Sequence, residues 1–270
     1  MSSVTVYLDA IGLCGPGLSG WKTARAVLSG ATPYLQAPTD IAPSDYLPAA
    51  ERRRVGIAVK LALAAAKDAL ITGHHDASQL LSVFSSSGGD GDNCHIICEA
   101  LTSSDRLISP TRFTNSVHNA PSGYWGIALK ARPASTSLCA FDGSFSAGLL
   151  EAATQSIQAN APVLLIAYDT PYPEPLRVTR PIAHSMGVAM IVSSKATPDT
   201  VATLHISLGK AQPSMMPDPE MEALRLNAPA ARCLPLLRAI ALGENQAKLA
   251  LELFDNQQLL VQVAFLESAT

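Results

Sequence analysis

Residues 135–168, STSLCAFDGSFSAGLLEAATQSIQANAPVLLIAY, read as a strand, a tight turn, a helix and a second strand. The run Ser135–Phe141 is short and is broken by Asp142-Gly143-Ser144, a combination that turns the chain. Leu149, Ala152, Ala153 and Ile157 then recur at helical spacing through Phe145–Ala159, which predicts a helix with those four on its core side. Val163–Tyr168 is a short apolar run of strand length.

Upstream, the same alternation of elements repeats. Val4–Leu8 reads as a strand that stops at Gly12, Gly15, Pro16 and Gly17, and a helix follows over Ser19–Leu28. Pro33, Pro38, Pro43 and Pro48 make Thr32–Pro48 a long surface loop, because proline lacks the N–H that helices and central strands need. Val55, Val59, Leu63, Ala66 and Leu70 predict a helix over Glu51–Ile71 with Gly73 as its stop. Leu80–Phe84 reads as a buried strand, followed by a Ser85–Gly89 turn and a helix over Asp92–Leu101. Ser116–Leu129 reads as a helix in which Gly123 and Gly126 permit close packing, with Tyr124 and Trp125 in the core or at an interface.

Downstream, Gly187–Val192 and Thr203–Leu208 read as strands, Leu234–Leu242 as a helix, and Ala250–Phe254 with Leu259–Phe265 as a hairpin around Asp255-Asn256. No element reads clearly from 210–231. The fold class is therefore α/β with a strand-rich later region, and no repeat is visible.

At 270 residues, 48% hydrophobic and 15% charged, the chain suffices for one large globular domain spanning 1–270. Its 19 basic and 22 acidic residues give no sustained positive field, so nucleic acid and anionic membrane surfaces are not expected partners. No charged-then-apolar leader and no run of about 20 apolar residues appears, so no membrane span is expected and the chain reads as cytoplasmic. Five scattered cysteines, Cys14, Cys94, Cys98, Cys139 and Cys233, fit reduced thiols rather than a disulfide framework.

Cys94, His95 and Cys98, and the pair His74 and His75, lack a second ligand pair, so no metal and no cofactor is expected. The cysteines read instead as buried on a helix face and the histidines as a solvated loop. Gly88, Gly89 and Gly91 lack the lysine and hydroxyl residue of a phosphate-binding loop and read as a strand-to-helix turn. His205 lies in an apolar strand pattern, which points to a structural role.

Several segments resemble the N-terminal half of β-ketoacyl synthases, in that family's order. RRRVGIAVKLALAAAKDAL is similar to its arginine-led helix, VFSSSGG to its strand and glycine turn, and FTNSVHNAPSGYWGIALKARPASTSLCAFDGSFSAGLLEAA to the region around its nucleophile. RPIAHSMGVAMIVSS resembles the segment that ends that half, so the likeness covers 1–195, with 196–270 a shortened C-terminal portion. SVHNAPSGYW followed by DGSFSAGLLEA is closest to short synthase-like chain-length factors, including those of aryl polyene clusters. The resemblance implies a thiolase-like fold.

In active members the nucleophilic cysteine sits at the strand-to-helix turn, where the helix N-terminus favours a thiolate. Laid on that pattern, the turn position falls on Asp142, with Cys139 three residues earlier in the strand. Asp142 is predicted to cap the helix by accepting from the N–H of Ser144 or Phe145, so no catalytic residue is expected. Nothing after residue 195 resembles the family's histidine-bearing turns.

The resemblance thus implies a non-catalytic chain-length factor, paired with an active β-ketoacyl synthase and reached only indirectly by acyl carrier protein. Phe113, Thr114, Val117 and His118 would line an acyl tunnel near the subunit interface, and His118 could equally be a helix-start residue bonded to backbone. The strand Ser135, Thr136, Ser137, Leu138, Cys139 to Phe141 would be the dimer edge. Two other readings remain: a condensing enzyme using Cys139, and a serine hydrolase using Ser144, although GSFSAG does not match the hydrolase elbow.

Overall fold

The computed structural model describes residues 3–43 and 45–266. Among these residues nine strands form one sheet: β1 (Val4–Gly15), β2 (Leu18–Ser19), β3 (Leu81–Ser85), β4 (Ser135–Leu138), β5 (Val163–Asp169), β6 (Met186–Ser193), β7 (Ala202–Gly209), β8 (Ala247–Phe254) and β9 (Gln257–Ala264). The helices are α1 (Trp21–Leu28), α2 (Ala49–Arg52), α3 (Ile57–Thr72), α4 (Gly91–Thr102), α5 (Pro110–Thr114), α6 (Ala120–Leu129), α7 (Ser144–Ala159), α8 (Leu176–Thr179), α9 (Pro219–Asn227) and α10 (Leu234–Leu242). The sheet order is β4-β3-β5-β6-β1-β7-β9-β8, with β2 hairpinned onto β1. β3 is parallel to both β4 and β5, and the remaining neighbours are antiparallel.

The central strands β5 and β6 are buried at every position, as strands covered on both faces must be. On one face lies α3, where Ala58, Ala62, Ala65, Ala66 and Ala69 are all buried against β1, β5 and β6. These small side chains bring the helix so close that a β-carbon on Gly12 would collide with the carbonyl of Ala65. That contact explains why β1 runs on to Gly15 although its glycines read as a stop after Leu8: Gly12 is a packing glycine, not a turn.

On the other face α7 packs with the 3-10 segment Pro229–Cys233 against it, and α1 and α10 pack together in the same core. The sheet coils round α7 far enough that the turn after β4 touches β8, its most distant neighbour in strand order. At that contact Gly143 lies against Leu253, leaving no room for a β-carbon. Of the four expected core positions on α7, Leu149, Ala152 and Ala153 are buried but Ile157 is exposed.

Three expected elements are shorter or divided. The helix expected over Glu51–Ile71 breaks at Arg53–Gly56 between α2 and α3. The helix expected over Ser116–Leu129 begins only at Ala120, with Pro121 in its first turn where a missing N–H costs nothing. The strand expected over Ser135–Phe141 ends at Leu138, because Phe141–Gly143 forms a 3-10 turn. Within 210–231 the structure places α9, opened by Asp218, whose carboxylate accepts from the N–H groups of Glu220 and Met221.

Two polar expectations also change. Cys94 and Cys98 are exposed, since α4 buries only Gly91 and Asn93 fully. His75 is not solvated: its Nε2 lies 3.2 Å from the buried carboxylate of Asp9. Asp9 also accepts from Ser193, from Thr197 Oγ1 at 3.1 Å and from Thr200 Oγ1 at 2.9 Å. His74 pairs with Asp199 at 2.7 Å, and His205 on β7 bonds its cross-strand neighbour Thr5 at 2.9 Å. Among the described residues all five cysteines are free.

Candidate functional site

Two turns lie side by side at the C-terminal ends of the parallel strands β3 and β4, where α/β sheets commonly carry their sites. The first, Ser86–Gly89, is a meeting point for hydrogen bonds. His118 Nε2 reaches the Ser86 carbonyl at 3.1 Å, Cys139 Sγ donates to the Ser87 carbonyl at 3.1 Å, and Arg180 donates to Ser87 Oγ at 2.6 Å. Asp169, at the end of β5, accepts from Ser87 N at 2.8 Å, from Ala230 N at 2.9 Å and from Ser86 Oγ at 3.3 Å. Burial pushes the Asp169 carboxyl up to about 7 in spite of these three donors, because removal from water penalises the charged form more than they favour it.

The second turn, 139–143, carries the residues that sequence places near a nucleophile. Asp142 does not cap α7. Its carboxylate lies 2.7 Å from Arg180 and 3.4 Å from Arg232, and two guanidinium groups offer more to a half-buried carboxylate than one helix N–H does. The N-cap of α7 is Gly143, with no side-chain bond. Arg232, on the Pro229–Cys233 segment, also reaches Glu252 of β8 at 2.7 Å, and Arg225 of α9 pairs with Glu222 at 2.7 Å and with Glu252. An ion network thus runs from the turn after β4 to the far edge of the sheet.

The residue of this turn with a left-handed backbone is Phe141, at φ 51, rather than Asp142. The guanidinium of Arg180 lies 3.6 Å from the centre of its ring, within range of a cation–π contact. Sequence spacing gave no signal for Arg180, Arg232 or Asp169, which converge from connections far apart in the chain.

Neither alternative nucleophile has a base hydrogen-bonded to it among the described residues. Ser144 is buried, and its hydroxyl donates to Phe141 O at 2.7 Å and accepts from Ala140 N at 3.0 Å. Cys139 is exposed, but its thiol is turned onto the Ser87 carbonyl, and no histidine is bonded to it among the described residues. An adjacent base is one of the ways in which a nucleophile is activated.

Of the residues expected to line a tunnel, Thr114 and Val117 do border a groove of about 500 Å3, together with Arg54, Asn115, Tyr124 and Ile127. Its floor is fixed by Tyr124, which donates to Asn115 Oδ1 at 2.9 Å, and by Asn115 Nδ2, which donates to Arg54 O at 2.8 Å. Phe113 and His118 do not border it: Phe113 is exposed on α5 and His118 turns to the Ser86 carbonyl. Ser135–Leu138 pair with β3 alone, so the outer side of β4 faces no strand among the described residues.

The sequence profile described as beta-ketoacyl synthase, N-terminal domain, matches residues 21–253. The chain belongs to the β-ketoacyl synthase family. Its fold is that of the thiolase-like ketosynthases. A solved structure of a ketosynthase in complex with its chain length factor, from Xenorhabdus doucetiae, is similar at 22% identity and TM-score 0.73, over 96% of this chain and 99% of the matched chain. The ishigamide ketosynthase/chain length factor is similar at 12% identity and TM-score 0.73, over 98% and 100%. A type II polyketide synthase acyl-carrier protein in complex with its ketosynthase bound to the hexaketide gives 10% identity and TM-score 0.75, over 98% and 100%. No curated protein matches the sequence. No helix among the described residues is long and apolar enough to cross a membrane.

Proposed function

We propose that this chain is a non-catalytic, chain-length-factor-like subunit that pairs with an active β-ketoacyl synthase. In that role it helps to set acyl length in fatty-acid-like or type II polyketide biosynthesis, with aryl polyenes as the product class its sequence resembles. The observation that carries the reading is the turn after β4. It holds Phe141 and Asp142 in the grip of Arg180 and Arg232, and neither Cys139 nor Ser144 beside it has a base bonded to it among the described residues.

In this reading residues 1–270 act as one cytoplasmic domain with a reduced C-terminal portion. The outer edge of β4 pairs with the synthase, because an open strand edge is a template for another chain. Acyl carrier protein is met through the partner. Thr114 and Val117, with Phe113 and His118 nearby, border the path of the growing chain.

Co-expression with a synthase tests this. The expected result is a stable heterodimer whose product length falls when Val117→Phe adds bulk to the groove. Intact-mass measurement after incubation with acyl carrier proteins should show no acyl group on the isolated chain, and an adduct on Cys139 or Ser144 overturns the non-catalytic role.

A further inference from the structure

Phe141 is 62% exposed, yet its ring is held. Its left-handed backbone, at φ 51, is one that large side chains adopt only when the surroundings impose it. Arg180 lies over the ring at 3.6 Å and is itself fixed by Asp142 at 2.7 Å and Ser87 at 2.6 Å. Two residues on, Gly143 is lodged against the Leu253 carbonyl, so the turn cannot draw the ring inward. Phe113 is as exposed, at 66%, but it sits on the five-residue α5 with no aromatic or cationic clamp among the described residues.

An exposed aromatic that is already immobile loses little conformational freedom when a partner covers it, which is the character of an interface hot spot. Only two residues separate it from the end of β4, whose outer side faces no strand among the described residues. A strand laid along Ser135–Leu138 would bring its subunit onto this ring, and loss of water there would strengthen the guanidinium–ring attraction.

We propose that Phe141 is the anchor by which this chain grips the synthase subunit, and that Arg180 is the residue that positions it. The inference rests on the pairing proposed above. It is tested by measuring association of the purified full chain with the synthase. Phe141→Ala is expected to weaken Kd about 30-fold, the loss typical of a hot-spot truncation, and Phe113→Ala less than about 3-fold. Arg180→Met should weaken it about 5-fold, and a fluorine label on the ring at 141 should give a sharper NMR line in that variant of the isolated chain, a change a merely stabilising arginine would not produce. Thermal melting of each isolated variant controls for folding. If the unaltered chain does not associate, the pairing itself is wrong. If it associates and Phe141→Ala binds as well, or Phe113→Ala loses more, the anchor is wrong while the pairing stands.

Discussion

At one end of the sheet β8 is flanked by its own chain: Ser214 N donates to the Ala250 carbonyl at 2.8 Å, and Ser214 Oγ accepts from Ala250 N at 3.0 Å. At the other end β4, four residues long, presents its outer side to no strand among the described residues. The closed end is finished with backbone pairing. The open end is finished with serines, an exposed phenylalanine and an ion network. Proteins usually cover, shorten or charge a strand edge; in this sheet one edge is covered and the other is short.

The comparison breaks most sharply at Arg232, which joins the two ends by pairing with Asp142 of the turn after β4 and with Glu252 of β8. Arg232→Met is expected to cost about 2 kcal/mol in urea denaturation, because it removes the link between two carboxylates that keep Arg180 and Arg225 as their other partners. A loss below about 1 kcal/mol would mean that the ends are joined by packing alone.

Asp169 sharpens it through pH, since this carboxylate ties Ser87 at the open end to Ala230. Its carboxyl is raised to about 7 in the folded chain, so the folded state holds the proton more tightly than the unfolded one. The stability this provides is complete below the ordinary carboxylate range and is lost as pH rises through about 7. Urea midpoints should therefore fall between pH 5 and pH 8, and Asp169→Asn should flatten the slope while costing about 1–3 kcal/mol for a misdirected amide. A slope unchanged by the substitution assigns the pH dependence elsewhere.

The smallest expected effect on the isolated chain is that of Ser137→Pro. Ser82 N donates to the Ala134 carbonyl and Ser86 N to the Leu138 carbonyl, so the alternation of a strand turns the Ser137 N–H outward. Proline there should change the unfolding free energy by less than about 1 kcal/mol yet prevent pairing with a synthase. A large loss of stability would show that this side of β4 is held by the chain itself.

The strands β3, β5, β6 and β7, the helix α7 and the hairpin β8–β9 were legible in the sequence, because each has one face or both turned to the core and its apolar residues announce it. The break between α2 and α3 was not: Val55 keeps helical spacing across the gap. Nor was α9 read, although Asp218-Pro219 is the signature of a helix start. At the turn after β4 the sequence reading made Asp142 a helix cap, whereas its partners Arg180 and Arg232 lie 38 and 90 residues away. Short-range rules offer a carboxylate before a helix only a cap. The left-handed backbone of Phe141 was equally hidden, since aromatic residues carry no preference for it.

Asp9 gives the C-terminal portion a different standing from that of an appendage. At this bulge in β1, between the stretch that faces β7 and the longer one that faces β6, the carboxylate gathers Ser193 from the end of β6, Thr197 and Thr200 from the link to β7, and His75 from beyond α3. The likeness read in the sequence ends at 195, inside this knot. A chain severed there would keep the buried charge, lose both threonines that satisfy it, and bare the flank of β1 that β7 now covers. The family profile likewise runs past residue 195 to 253, and 195 is no fault line in the molecule.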